Sequence, residues 1–141
     1  MAVFTITDVR IQQSPVLSSG LGSLVPFEFS GLPFTPERAF TVGEVPVGQE
    51  RGLHAHRLCH QMLIAVSGNV LVSVNDGEAS REFLLGDPAS ALYIPPLIWS
   101  GQKYLERTSR LFVLASHPYS REDYIEDFTE FKTEKRSKSR P

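Results

Sequence analysis

The chain has 141 residues, 14 Lys and Arg against 16 Asp and Glu, a formal charge of -2 and one cysteine, Cys59. Mixed charge without a basic field excludes nucleic acid as the expected partner. The lone cysteine excludes an internal disulfide framework, no apolar run approaches the roughly 18 residues of a membrane span, and the first residues lack the marks of a signal peptide. A cytoplasmic protein with no membrane partner is expected.

A chain of this length buries roughly two-thirds of its unfolded surface around one core. One domain over residues 1–131 is expected, followed by a basic, flexible tail at 132–141. Phe4, Ile6, Val9 and Ile11 alternate weakly and predict one or two strands in residues 3–13. The Gly-, Ser- and Pro-rich stretch from Ser14 to Pro36 contains the alternation Val25-Pro26-Phe27-Glu28-Phe29, which predicts an edge strand because proline cannot donate to a ladder. Arg38 to Val45 predicts a strand ended by the turn Pro46-Val47-Gly48.

Further strands are predicted at Gln61 to Val66, Val70 to Val74, Arg81 to Leu85, Ala91 to Ile94 and Arg110 to Ser116. Asn75-Asp76-Gly77 is a hairpin signal, since the turn needs residues tolerant of positive φ. About nine or ten short strands with turn signals every 8 to 12 residues argue an all-β antiparallel sandwich or barrel. One helix is predicted: Ser120 caps it, Asp123 completes a capping box, and Tyr124, Ile125, Phe128 and Phe131 share a face that should pack outside the barrel.

The chemistry concentrates between Gly48 and Gly68, which holds three of the four histidines. His54 and His56 are two residues apart, so on a strand both project to one side, and the apolar run Met62 to Val66 anchors them beside a core strand. His60, four residues past His56, is expected to be structural or solvent-facing, as is His117 beside Pro118.

The spacing of Gly48, His54-Ala55-His56, Gln61 and Gly68 resembles the first cupin motif, with glutamine where metal-binding cupins carry glutamate. A second motif would run from Gly86 through Pro95, with Trp99 near the usual place of a third histidine. Metal ions of this class want carboxylate and imidazole in a set of three or four, so a metal-free site without cofactor is expected. More narrowly, three stretches together are similar to the dTDP-sugar 3,4-ketoisomerases. These are Arg51 to Arg57 with Gln61, Leu92 to Pro96 with Trp99, and Tyr119 to Phe128. The resemblance implies a cupin jelly-roll barrel with one C-terminal helix, a homodimer that exchanges N-terminal strands, and a dTDP-linked 4-keto-6-deoxy sugar beside the two motif histidines.

The residues suit that chemistry independently. Moving a carbonyl from C4 to C3 needs proton transfers and no redox cofactor, and imidazole, with a reference pKa of about 6.5, serves as acid or base near neutrality. His54 and His56 are the expected catalytic pair, with His56 favoured as carbon base. Arg51 offers a planar fork for phosphate or a developing enediolate, and Gln61 and Trp99, at former ligand positions, are expected to line the lumen. Arg57 should face away by strand parity and act from the rim, and Tyr93 and Tyr104 offer stacking surfaces for thymine. Against these stand the bland readings of a surface ion pair, a satisfied amide and core aromatics. Two other functions compete: a 3,5-epimerase, whose histidine pairs with an acidic partner that the sequence does not locate, and a non-catalytic sugar- or metal-binding cupin.

Overall fold

The computed structural model describes residues 3–139. After a 3-10 turn at Ile6–Asp8 come β1 (Arg10–Gln13), β2 (Leu17–Ser19), β3 (Gly22–Leu24), β4 (Arg38–Val42), β5 (Glu50–His56) and β6 (Gln61–Ser67). β7 (Val70–Asn75), β8 (Ser80–Leu85), β9 (Ser90–Ile94), β10 (Trp99–Tyr104), β11 (Arg110–Ala115) and β12 (Tyr124–Ile125) follow, and α1 spans Phe128–Ser139. Two antiparallel sheets, ordered β1-β9-β6-β11-β4 and β12-β5-β10-β7-β8, face each other as a jelly roll, the architecture that the cupin resemblance implied.

Alternation puts Leu63, Val72, Leu92, Leu111 and Val113 into the space between the sheets, where all are buried. The other face of the first sheet carries a second cluster, Met62, Ile64, Tyr93 and Leu114, partly covered by Phe27, Leu32, Phe34 and Phe112. Among the described residues no helix is long and apolar enough to cross a membrane. The turn signal after Asn75 is realised: Gly77 takes φ 98, and its N–H donates to Asn75 Oδ1 at 2.7 Å.

Two sequence expectations are corrected. Val25 to Phe29 forms no strand. Instead Leu17–Ser19 and Gly22–Leu24 pair as a small hairpin, while Phe27 is drawn onto the apolar outer face of the first sheet. The helix starts at Phe128, not after Ser120, because the better cap is Asp127, whose Oδ2 accepts the Glu130 N–H at 2.9 Å. Tyr124 and Ile125, assigned to the helix by spacing, instead pair with His56 and Ala55.

The helix also covers much of the expected flexible tail, through Ser139, the rest of which lies outside the described residues. Lys135 explains part of this. Its ammonium is buried and donates to the carbonyls of Leu97, at 2.6 Å, and Phe4, so the helix ties the N-terminal segment to the loop before β10. Replacing Lys135 with methionine keeps the aliphatic stem and strands both carbonyls, which should cost about 1–3 kcal/mol. Urea unfolding of the Lys135→Met protein checks this, and an unchanged midpoint would contradict the tie.

Candidate active site

β5 carries His54 and His56 on its inner face, with their Nε2 atoms 3.2 Å apart and the ring planes at 84°. At that distance one nitrogen bears a proton that the other accepts. His56 is 6% exposed, and its Nδ1 stands 2.8 Å from Asp123 Oδ2. A carboxylate only accepts, so Nδ1 holds its proton toward Asp123 and Nε2 is directed at His54. Asp123 Oδ1 accepts the Leu58 N–H at 2.6 Å. Burial by itself would raise the Asp123 carboxyl, but the bonds from His56 and Leu58 outweigh it and hold the group below its ordinary range.

Short local pieces deliver that carboxylate. Ser120 O accepts the Asp123 N–H at the end of a 3-10 turn, Arg121–Asp123, and the next two residues become β12 against β5. Tyr124, paired with His56, lays its ring 4.9 Å from His54 and 4.5 Å from His56 by centroids. Burial, then the neighbouring His56 charge, lowers the pKa of His54 below its ordinary 6.5. Near neutrality His54 is therefore uncharged and open to accept a proton.

Arg51 stands three residues before His54, an odd offset that puts it on the opposite face of a regular strand. β5 is irregular there. Ser100 pairs with His54 but Gly101 pairs with Gly52, so Leu53 is bulged out at φ 55 and Arg51 returns to the inner face. Gly52 is required in this device: it sits at φ 87, and a Cβ there would lie 2.6 Å from Gln102 Oε1.

The result is a cavity of about 220 Å³ whose polar wall is Arg51, His54, Gln61, Gln102, Tyr104 and Tyr124, with Phe40, Leu63 and Val113 on its apolar side. Tyr104 is buried, and burial pushes its phenol up to about 12 against the pull of Arg51, so it remains a neutral donor. Four sequence-predicted residues, Arg51, His54, Gln61 and Tyr104, thus converge on one space, with His56 bonded to His54 at its edge.

The others lie elsewhere. Trp99 precedes the inward-facing Ser100, so alternation turns it outward, where it packs 5.3 Å from Phe128 and 5.8 Å from Phe131. The expected lumen position of Trp99 is therefore corrected: the apolar face of α1 claims the ring. Tyr93 likewise faces outward beside Met62 and Ile64, with its hydroxyl 2.7 Å from His60 Nδ1 and the Arg10 guanidinium over its ring at 4.8 Å. Arg57 turns from the lumen, as parity predicted, and donates to Glu134 and to the Tyr124 carbonyl, clamping β12 and α1. His60 is part-buried against Phe4 and Phe34, and His117 is exposed beside Ser116.

Asp123, Tyr124 and Gln102 join the site without having been named as site residues in the sequence, where Asp123 and Tyr124 are assigned to the helix. Alternation through Ser100, Gln102 and Tyr104 was a usable signal for Gln102. Asp123 and Tyr124 lie in the family-like stretch Tyr119 to Phe128, but nothing local ties Asp123 to a histidine 67 positions away. His56, Cys59 and Asp123 also bring possible ligand atoms within 4.8 Å of one another. Both Asp123 oxygens are already engaged by N–H groups, and His56 meets Asp123 through a protonated nitrogen, so a cation would have to displace those bonds.

The lowered pKa of His54 has a thermodynamic consequence. Between its folded-state value and 6.5 the unfolded chain binds more protons than the folded one, so stability is full above 6.5 and falls as pH drops through that window. Asp123, also lowered, adds a loss at more acidic pH, below its ordinary 3.8. Denaturant unfolding at pH 7 and pH 5 should show a loss in the wild-type protein that is smaller in His54→Asn, and equal losses would contradict the assignment.

The chain matches the family described as "FdtA: WxcM-like, C-terminal" over residues 7–136. It is 33% identical over 112 residues to the TDP-4-oxo-6-deoxy-alpha-D-glucose-3,4-oxoisomerase of Aneurinibacillus thermoaerophilus, covering 79% of this chain and 81% of the relative. Its fold superposes on QdtA, a sugar 3,4-ketoisomerase from Thermoanaerobacterium thermosaccharolyticum solved in complex with TDP, with TM-score 0.91 and 28% identity over 96% of this chain and 100% of the other. A mutant of QdtA has been solved with TDP-4-keto-6-deoxyglucose. The Campylobacter jejuni WlaRB TDP-quinovose 3,4-ketoisomerase gives TM-score 0.86 and 30% identity over 91% and 99% of the two chains. The match across residues 7–136 and the one-third identity to an oxoisomerase make this chain an isomerase that belongs to the FdtA, WxcM-like family of TDP-sugar 3,4-ketoisomerases.

Proposed function

We propose that this protein converts dTDP-4-dehydro-6-deoxy-D-glucose to a dTDP-3-dehydro-6-deoxy-hexose through an enediol or enediolate, with His54 and His56 as general acid and base. The observation that carries this reading is the imidazole pair, 3.2 Å apart at a cavity, with one ring held by a carboxylate. An imidazole takes the C3 proton, the electron pair forms the C3–C4 double bond, and O4 becomes the oxyanion. The O3 proton passes to O4, the C3 carbonyl forms, and C4 receives a proton. Every step is a proton transfer, so no electron acceptor is consumed and no cofactor is required.

His56 is the favoured carbon base, because an imidazolium formed there stands against the Asp123 carboxylate. Arg51, Gln61 and Tyr104 offer donors for the enediolate oxygens. A homodimer fits the apolar outer face of the first sheet and the β2–β3 hairpin, whose Leu17, Leu21 and Leu24 are exposed. Exchange of N-terminal strands would bury them, and a cytoplasmic setting suits the free thiol of Cys59.

Incubation with dTDP-4-dehydro-6-deoxy-D-glucose in deuterated water should give a 3-keto product by NMR, with deuterium delivered to C4. His54→Asn and His56→Asn should each lower turnover by about 10² to 10⁴, and substantial activity in both would sink the histidine mechanism. Asp123→Asn should lower turnover by about 10²-fold or more, since the amide cannot stabilise an imidazolium. Turnover should survive prior treatment with a chelator.

The His56–Asp123 pair also gives the 3,5-epimerase reading the acidic partner it lacked in the sequence. The same NMR experiment separates the two, since deuterium at C5 with the carbonyl still at C4 would favour epimerisation.

A further inference from the structure

Arg57 follows His56 directly, yet the walls of the histidine cavity do not include it. Its contacts converge instead on the turn that delivers Asp123. The Arg57 N–H donates to the Asp123 carbonyl at 2.7 Å, and one terminal nitrogen, Nη1, donates to the carbonyls of Glu122 and Tyr124, the latter at 3.0 Å. Three consecutive peptide units, those leaving Glu122, Asp123 and Tyr124, are therefore bonded to a single residue.

That pattern fixes a direction. The φ and ψ of a residue, and with them the bearing of its Cα–Cβ bond, are set by the two peptide planes that meet at its Cα. Both planes that meet at Asp123 are bonded to Arg57, and the peptide leaving His56 is the one whose N–H reaches the Asp123 carbonyl. Carboxylate and imidazole are thus registered against each other through one residue. β12 alone holds them less firmly, since it has two residues, lies at a sheet edge and pairs with β5 only at His56 and Ala55. Ile125, buried in a cluster with Ala55, Leu97 and Phe131, pins its far end and leaves the Asp123 end to Arg57.

The guanidinium is itself aimed. Its Nε–H is shared between both oxygens of Glu134, at 3.0 and 3.1 Å, and Nη2 donates to Glu130 Oε1 at 3.2 Å. Glu130 and Glu134 stand one turn apart on α1, so both carboxylates meet the same fork. A guanidinium that only balanced surface charge would stop at those carboxylates. This one commits a further nitrogen to main-chain carbonyls at the end of the 3-10 turn.

We propose that Arg57 is a positioning residue for the isomerisation, an assignment that rests on the reading above. It acts through Asp123, whose carboxylate it holds at the place from which His56 is oriented, and the carboxylates of α1 hold Arg57 in turn. A displacement of about 1 Å near a reacting group costs about 10² in rate. Loosening the turn therefore lowers kcat, while the ligand's own contacts, and KM with them, stay.

A double-mutant cycle tests this. Arg57→Met, which keeps the aliphatic stem, should lower kcat about tenfold to a hundredfold, with KM and TDP affinity within about twofold of wild type. Arg57→Lys should recover part of the loss. In the Asp123→Asn background the same Arg57→Met change should alter kcat by less than about twofold, because the group it acts through is already gone. Equal losses in the two backgrounds, or a folded Arg57→Met protein with the wild-type kcat, would overturn the assignment.

Should Arg57→Met fail to fold, the helix side decides. Glu130→Gln combined with Glu134→Gln should lower kcat about threefold or more in the wild-type background and leave it unchanged in Asp123→Asn, and an unaltered kcat in the first would overturn the assignment. Proton NMR reads the contact without turnover, through the downfield His56 Nδ1–H resonance that is absent in His56→Asn. That resonance should broaden or move upfield when Arg57 or its two carboxylates are replaced, and one that stays in place would overturn the positioning role. A wild-type protein with this Arg57-dependent resonance that yields no 3-keto sugar would refute the isomerase reading and leave the hold of Arg57 on Asp123 standing.

Discussion

The Asp123 to His56 hydrogen bond is the constraint on which the site depends. Without it the His56 ring could turn and exchange its two nitrogens, and its closeness to His54 would have no defined proton. With it, Nδ1 is committed, Nε2 is aimed, and the second imidazole meets a partner of known polarity. The bond also joins distant parts of the chain, because the carboxylate arrives with β12, a strand of two residues that completes the edge of the second sheet beside β5.

The same edge is held from outside. Arg57 faces away from the cavity and binds the Tyr124 carbonyl and Glu134, and Lys135 reaches back to Phe4 and Leu97. α1 is therefore a strap across the outer face of the second sheet, with Trp99 as the ring it closes on. Positions next to the motif histidines thus divide their labour by parity: inward residues line the cavity, and outward residues hold the wall in place.

Irregularity does as much as regularity. A strand with strict alternation cannot present both Arg51 and His54 to one cavity, and the Leu53 bulge, made possible by Gly52, removes that conflict. The bulged strand carries a guanidinium and an imidazole on one wall, opposite the apolar residues of the first sheet.

The amino-acid sequence by itself determined the all-β character, most strands, the hairpin after Asn75 and the shared face of His54 and His56. Each of these is a local matter of alternation, turn chemistry and spacing. Only the tertiary structure decided that Asp123 meets His56, that Arg51 shares the histidines' cavity, that Trp99 and Tyr93 belong to outer packing, and that the helix is capped by Asp127 rather than Ser120. Those outcomes turn on which of several sequence-compatible partners reaches a given side chain, on a bulge that reverses parity, and on the apolar area that a helix and a sheet bury against each other. Short-range pattern carries no information about residues 67 positions apart; packing does.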